Sequence, residues 1–281
     1  MSAVIEHTEI LVPGPAQALG ALLDVPVPAV ADGERLPLLW HWVYLLDRPA
    51  QADLGLDGHP VRGAVPAPPG PGLRRMWAGG RVRASGVLRC GEPATRRSRI
   101  MSAEDKQGRS GPLTFVTVHH QILQLGRVVV DEQQDLVYRP SAGSAGQQAP
   151  AAAAADPVAP PGDGERSIDV SPTLLFRFSA LTYNAHRIHY DRGYARDVEG
   201  YPGLVVHGPL QALAMAETAR AAGRQDNPDA GERTFDYRLL SPLFDHQGMV
   251  VSAVRERDAI STAVRDGYGR QTASGTLRSS R

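Results

Sequence analysis

The stretch YNAHRIHYD, residues 183–191, sets Asn184, His186, His189 and Asp191 close together, and VVHGPLQALA, residues 205–214, adds His207 and Gly208. A histidine titrates near neutral pH and can take or return a proton. An asparagine amide can hold a water or a carbonyl in register. Gly208 followed by Pro209 suits the entry to a helix, since proline fits the first turn and glycine lets a ligand approach the backbone. Free N–H groups at the positive end of a helix dipole stabilise a developing oxyanion. A base, an orienting amide and an oxyanion donor are the parts needed to add water across a double bond conjugated to a carbonyl.

The same residues admit plainer readings. His and Asn in loops often only cap helices and bond backbone groups. His186, His189 and His207 with Asp191 also form a conceivable ligand set, but the spacing matches no well-attested zinc pattern. Neither a metal nor a cofactor is expected. A second stretch, RRMWAGGRVR (74–83), carries Arg75, Trp77 and Gly79. It suits the lining of an acyl pocket or the binding of phosphates by planar guanidinium forks; its plain reading is a strand edge with solvated arginines. His41, between Trp40 and Trp42, reads as a core or pocket-lining residue. Of His119 and His120 only one can face a core, because neighbours on a strand point to opposite faces.

These residues need elements to position them. LPLLWHWVYLL (36–46) reads as an apolar helix. Strand candidates AGGRVRASGVL, ATRRSRIMSAE, GPLTFVTVHHQIL and RVVVDEQQDLVYR follow, joined by turns at GEP and EDKQGRSG. Farther on, a helix is expected from Pro209 to about Ala222, with Gly223 at its end, and then strands in RTFDYRLLSPL, GMVVSAVRERD, AISTAVRD and GRQTASGTL. The segment between, SAGSAGQQAPAAAAADPVAPPGDGE (141–165), is low-complexity sequence and reads as a flexible linker. VRASGVLRCGEP (82–93) also aligns with YRLLSPLFDHQG (237–248), matching Arg83 to Arg238 and Leu88 to Leu243. The reading is of a repeated α+β unit, an antiparallel sheet wrapped around one helix, over 1–140 and 166–281. Only the second unit has the Asn/His constellation, so the chemistry is expected there.

Composition bounds the rest. The chain has 281 residues, 42% of them hydrophobic and 21% charged, with 30 basic and 30 acidic side chains. Zero net charge does not favour binding to nucleic acid or to an acidic membrane. Lys106 is the only lysine, and Cys90 the only cysteine, which excludes an intrachain disulfide. The N-terminal MSAVIEHTEI lacks the features of a signal peptide, and no apolar run approaches the ~20 residues of a membrane span. A soluble, cytoplasmic protein is expected.

The stretch from 176 to 210 resembles the MaoC-like family of hot-dog-fold enoyl-CoA hydratases and 3-hydroxyacyl-thioester dehydratases. That family carries its acid/base pair in a Ser-Gly-Asp-x-Asn-Pro-x-His-x-Asp motif. Counting back from HYD (189–191), His189 falls on the catalytic His, Asn184 on the catalytic Asp and His186 on the Asn. VVHGPL falls on the His-Gly element, so Gly208 would supply the oxyanion N–H. Asn184 in place of Asp is a departure, since an amide cannot take a proton. SALTYNAHRIHYD and EGYPGLVVHGPL, with LPLLWHW, DGHPVRG, RRMWAGGRV and GRSGPLTFVTV, are more similar still to the two-hot-dog subgroup that includes mesaconyl-C4-CoA hydratase. The resemblance implies a double hot-dog fold and reversible hydration of a 2-enoyl-CoA. The acyl group would be short and branched or dicarboxylic, such as mesaconyl, or else a straight chain as in fatty-acid metabolism. A hot-dog thioesterase and a non-catalytic acyl-CoA-binding protein are the other readings. His189, Asn184 and the Gly208 N–H would be catalytic, with His186, Asp191 and His207 as further candidates. Arg75, Trp77, Gly79 and Tyr183 would contact substrate. The resemblance implies a monomer built as a pseudo-dimer, or a homodimer.

Overall fold

A computed structural model describes residues 3–63, 65, 73–108, 111–140, 161–162, 164–223 and 231–280. Ten strands form one antiparallel sheet: β1 (Ile5–Ile10), β2 (Leu73–Ala84), β3 (Pro93–Gly108), β4 (Gly111–Gln124) and β5 (Arg127–Pro140), then β6 (Glu165–Ile168), β7 (Arg233–Leu239), β8 (Met249–Arg255), β9 (Ile260–Arg265) and β10 (Gln271–Ser279). Among the described residues three α-helices accompany them: α1 (Pro13–Leu23), α2 (Pro172–Leu181) and α3 (Gly208–Ala222).

The spatial order is β1-β3-β4-β5-β2-β7-β10-β9-β8-β6. Read from the centre outward, the second five strands repeat the arrangement of the first five. Each half also starts with a strand and a proline-led helix. α1 and α2 end alike, with a non-glycine residue in the left-handed region just beyond, Asp24 at φ 51° and Tyr183 at φ 52°. The halves join where β2 pairs with β7, from Gly79↔Arg238 to Ala84↔Arg233. Along this seam the strands alternate: Val82, Ala84, Phe235 and Tyr237 are buried, while Arg81 meets Asp236 on the outer face at 2.5 Å. Pairing removes two central edges that would otherwise be open to other chains.

α3 is buried almost all round, from Leu210 through Glu217, and packs on β8, β9 and β10. Its alanines permit that closeness. Gly223 closes it by donating its N–H to Ala219 O.

The first half departs from expectation at 36–46. That segment is no α-helix; it is a single 3-10 turn, Trp40–Val43, bracketed by Leu39 at φ 69° and Leu45 at φ 55°. Left-handed residues at both ends stop a right-handed helix. The turn nevertheless takes the place that α3 has in the second half. Leu36 N–H bonds Leu88 O as Val206 N–H bonds Leu243 O, and Leu88 and Leu243 are the residues the sequence alignment pairs. Tertiary bonds override the apolar pattern here. Trp40 Nε1 donates to Glu217 Oε1 of α3 at 2.7 Å, His41 Nε2 lies 2.9 Å from Glu132 Oε2, and Trp42 Nε1 donates to Glu132 Oε1 at 3.0 Å. Burial pushes the Glu132 carboxyl up, but the bonds from His41 and Trp42 outweigh it and hold the group below its ordinary value.

α1, α2, β1 and β6 are elements the sequence reading passed over. Glu165, assigned to the linker, opens β6; most of 141–165 lies outside the described residues. His120 is the buried member of its pair, between Ser98 and Gln134, and His119 faces the other way toward Asp131.

Glu132→Ala would leave the His41 and Trp42 ring nitrogens buried without their acceptor. Each unsatisfied buried donor costs roughly 1–3 kcal/mol, so the variant should lose about 3–5 kcal/mol. A lower urea midpoint with an unchanged m-value is the expected reading.

Candidate active site

A cavity of about 1400 Å³ opens between the halves. Trp42, His59, Arg75 and Trp77 line it from the first half, and Asn184, His186, His189 and Gly208 from the second.

His189 sits at the end of a 3-10 turn, Arg187–His189, that follows α2. Its Nδ1 lies 2.7 Å from Val205 O. A carbonyl only accepts, so Nδ1 carries the proton and Nε2 keeps its lone pair. The residue is buried. Burial lowers its pKa to about 4, against the opposing pull of the Val205 bond. At neutral pH His189 is an uncharged base.

His207 lies beneath it, the two rings stacked with centroids 3.7 Å apart. It is fully buried, bonds Ser179 Oγ through Nε2 at 2.9 Å, and does not reach the cavity wall. Its Nδ1 has no partner. Burial keeps it neutral, well below the ordinary histidine value. His207 is therefore a floor for His189. Immediately after it α3 begins, and the Gly208 N–H takes no part in the helix's own hydrogen bonds, as the first turn leaves it free. A Cβ on Gly208 would come within 2.2 Å of Leu239 Cδ1.

Asn184 caps its own loop. Its Oδ1 accepts the His186 N–H at 3.0 Å, which starts the turn that presents His189. Its amide N–H groups remain beside the cavity that it lines. Asp191 does not enter the cluster. It pairs with Arg187 at 2.7 Å and accepts the Tyr194 N–H at 3.0 Å. Tyr183 is exposed at the cavity mouth. Trp77 reaches the wall, with its Nε1 donating to Tyr237 OH at 2.9 Å. Gly79 lies outside the wall, at the bulge in β2 against Tyr237 and Arg238. Glu217, the acid on α3, is taken by Trp40 and Arg220.

The sequence reading missed the contribution of DGHPVRG. Asp57 Oδ2 lies 2.8 Å from His59 Nδ1, and the His59 ring rests on His186 with centroids 3.9 Å apart. His186 meets His189 edge-on at 5.3 Å. Three close-packed neutral rings thus run from the first half to the base. Burial, and then the neighbouring histidines and Arg75, keep His186 well below the ordinary value. Asp57 is held at about 2; burial alone would raise it, but the His59 bond wins. The loop is locked on by Arg187 N–H to Asp57 O at 2.9 Å. Gly58, at φ +87°, lies so close that a Cβ would stand 1.8 Å from Ala185 O. The signal was that glycine between two polar residues, but only the tertiary structure shows its target. Asp57, His59 and His186 place possible ligand atoms within 4.8 Å of one another, yet Nδ1 of His59 is turned to Asp57, and Arg75 lies near enough to oppose charge on both histidines.

Strand order and cavity together define a double hot-dog with a buried neutral histidine and the start of α3 in its cavity wall. A sequence profile of the hydroxyacyl-thioester dehydratase type 2 family matches residues 39–245, and the chain belongs to that family of hydro-lyases. It is 48% identical over 231 residues to mesaconyl-C(4)-CoA hydratase of Chloroflexus aurantiacus, spanning 82% of this chain and 79% of the relative. A shorter match, 43% over 77 residues, is to the mitochondrial hydroxyacyl-thioester dehydratase type 2 of Schizosaccharomyces pombe, covering 27% of this chain and 25% of that one. Among solved structures, the MaoC-like dehydratase of Phytophthora capsici superposes with a TM-score of 0.70 at 14% identity, over 100% of this chain and 96% of that one. HtdX of Mycobacterium tuberculosis does so with 0.65 at 15%, over 99% and 100%. A second M. tuberculosis protein, described as a double hot-dog, gives 0.58 at 15%, over 99% and 95%.

The buried histidines make the fold acid-sensitive. An unfolded histidine titrates near 6.5, and His189 does so at about 4. Between these values the unfolded chain binds more protons, so stability falls as pH drops from about 6.5 toward 4 and is flat from this source above 6.5. The Asp57 contribution is lost only below its unfolded value, as pH falls toward 2. Urea titrations at pH 7.5, 5.5 and 4.5 should show the midpoint falling at each step; an unchanged midpoint at 5.5 would contradict neutral buried histidines.

Proposed function

We propose that this chain catalyses the reversible hydration of a 2-enoyl-CoA thioester, with a short branched or dicarboxylic acyl group. One observation carries the reading: a buried neutral histidine, its proton fixed on Nδ1 by Val205 O, in the wall of a large cavity beside the free N–H of Gly208. The long match to mesaconyl-C(4)-CoA hydratase supports the acyl class.

In this mechanism His189 Nε2 takes a proton from water as the oxygen attacks Cβ. The electron pair of the double bond moves through Cα onto the thioester oxygen. Gly208 N–H bonds that oxygen, and the α3 dipole favours its charge. Return of a proton to Cα gives the 3-hydroxyacyl product. The Asn184 amide holds the water, while its oxygen keeps the loop in shape. His207 holds the His189 ring flat from below. Arg75, Trp77 and Tyr183 contact the thioester or its acyl chain. Both halves of one chain furnish the site, so a single chain is the working unit, in solution in the cytoplasm. Among the described residues no helix is long and apolar enough to cross a membrane.

Loss of a positioned general base costs ~10²–10⁴ in rate. His189→Ala should lower kcat by about that factor and change KM far less, measured by loss of enoyl absorbance with crotonyl-CoA and mesaconyl-CoA; full activity would refute the assignment. The acid limb of kcat/KM for the unaltered enzyme should fall near pH 4 rather than 6.5, given the lowered base. Asn184→Asp can still accept the His186 N–H, so the variant should fold and keep part of its activity. Its new carboxylate next to His186 should move the acid limb upward.

A further inference from the structure

In hydration Cα must receive a proton, while His189 takes one from the water that attacks Cβ. The first half places another histidine, His59, in the wall of the same cavity. We infer that His59, oriented by Asp57, is a second catalytic acid–base, acting at Cα, and that it also exchanges the α-protons of thioesters that cannot be hydrated. The inference rests on the hydratase reading and adds a residue and an activity to it.

Three observations support it. The first is the tautomer. Asp57 Oδ2 lies 2.8 Å from His59 Nδ1, and Oδ1 accepts the His59 main-chain N–H at 2.9 Å. Asp57 is held at about 2, so it is a carboxylate at neutral pH and only accepts. Nδ1 of His59 therefore carries the proton and Nε2 keeps its lone pair. Val205 O does the same for His189. Two imidazoles, one from each half, thus line one cavity in the same tautomer. They differ in what answers a charge. His189 faces a carbonyl, whereas His59 faces a full carboxylate, which stabilises the imidazolium formed when Nε2 takes a proton. Burial, and Arg75 with it, keeps His59 below the ordinary histidine value against the pull of Asp57, so at rest it is a neutral base.

The second is position. The rings of His59 and His189 both pack on His186, with centroids 3.9 and 5.3 Å from it, and His59 acts electrostatically on His189. Cα is one bond from the Cβ that His189 serves, so it falls in this neighbourhood. The third is rigidity. Gly55 N–H closes the loop on His59 O at 2.8 Å, and Arg187 N–H holds Asp57 O at 2.9 Å. A proton-transfer group must be held to within ~0.5 Å, and these bonds fix His59 against the second half. A pair that only fastened the loop would need no place in the cavity wall, yet His59 stands in it and Asp57 behind it.

The protons balance. His189 Nε2 takes a proton from water as the oxygen bonds Cβ and the double-bond pair moves onto the thioester oxygen. His189 releases that proton to solvent water, and His59 Nε2 takes one up, its charge answered by Asp57. His59 gives it to Cα, the enolate pair forms the new C–H bond, and both rings are neutral again. On a saturated thioester the Cα step runs alone. His59 takes a Cα proton, the Gly208 N–H holds the enolate oxygen, the Nε2 proton exchanges with solvent, and a solvent proton returns to Cα.

The test uses butyryl-CoA, which has no double bond to hydrate. It would be incubated in D2O with the unaltered enzyme, His59→Gln, Asp57→Asn and His189→Ala, and its α-deuterium read by mass spectrometry. We expect the unaltered enzyme to exchange the α-protons and His59→Gln to slow exchange by ~10²–10⁴, the cost of losing a positioned acid–base. Asp57→Asn keeps an oxygen for the His59 N–H but removes the charge, and should slow exchange at least ~10-fold. Calorimetric Kd values for butyryl-CoA should change far less in both, which a collapsed pocket would not allow. His189→Ala should lose more hydration than exchange, and His59→Gln should lose both. Absent exchange in the unaltered enzyme, or exchange at the unaltered rate in His59→Gln or Asp57→Asn, overturns the inference. So does exchange that falls as far as hydration in His189→Ala. The hydratase reading is checked apart from this by enoyl absorbance with crotonyl-CoA, so its failure shows as absent turnover with α-exchange still readable.

Discussion

The pairing of β2 with β7 is the constraint on which the rest of the structure depends. Six residues on each strand lie opposite one another in an antiparallel ladder, from Gly79↔Arg238 to Ala84↔Arg233, and this turns two five-stranded halves into one sheet. The pairing brings Trp77 to Tyr237 and sets the helical sides of both halves next to each other. Their boundary then becomes the cavity. Strand pairing also fixes register, because a slip of one residue would turn Phe235 and Tyr237 outward and Asp236 inward. With register fixed, the loop around Gly58 has one place to land, over Ala185. A residue from the first half touches the His loop of the second with the two halves held in step by this pairing.

Desolvation shapes the chemistry of that boundary. His186, His189 and His207 are each buried, and each stays uncharged at neutral pH chiefly for that reason. A charged ring in the stack would oppose the others. Keeping all of them neutral costs stability in acid, yet it gives His189 a lone pair at neutral pH without a carboxylate to activate it. This bears on Asn184. A carboxylate in contact with the loop would favour the protonated form of a neighbouring histidine, whereas an amide caps the loop without adding charge. The acid that does lie nearby, Asp57, is spent on His59, one ring removed.

Much of the second half was legible in the sequence because its signals are local. Proline after glycine marked the start of α3, alternation and turn residues marked the strands, and the clustered polar residues marked the loop. The resemblance in 176–210 named the family that the profile match then showed. Two things were hidden. LPLLWHWV has the composition of a helix, but partners distant in sequence, Glu132 and Glu217, hold it as one tight turn, and no local pattern reports a bond to residue 217. DGHPVRG was recognised as a motif but not as chemistry, since its meaning lies in what Gly58 packs against. Asp191 ties down its own loop, and Gly79 lies at the seam of the sheet, outside the cavity wall.

The shortened turn at Trp40–Val43 and the cavity are two aspects of one change. A full helix in the first half, equivalent to α3, would run on past Val43 from where the chain now turns away at Leu45. The residues that follow the turn instead line the cavity, Tyr44 and Leu46 to Pro49 among them. Ending the helix after one turn frees the residues beyond it to form the stretch that carries Asp57, Gly58 and His59 across to His186. It also bares Trp42 and the inner face of β2, where Arg75 and Trp77 stand. The half without a long central helix thus supplies the wall opposite His189. Glu132 ties that wall to the sheet through its bonds to His41 and Trp42.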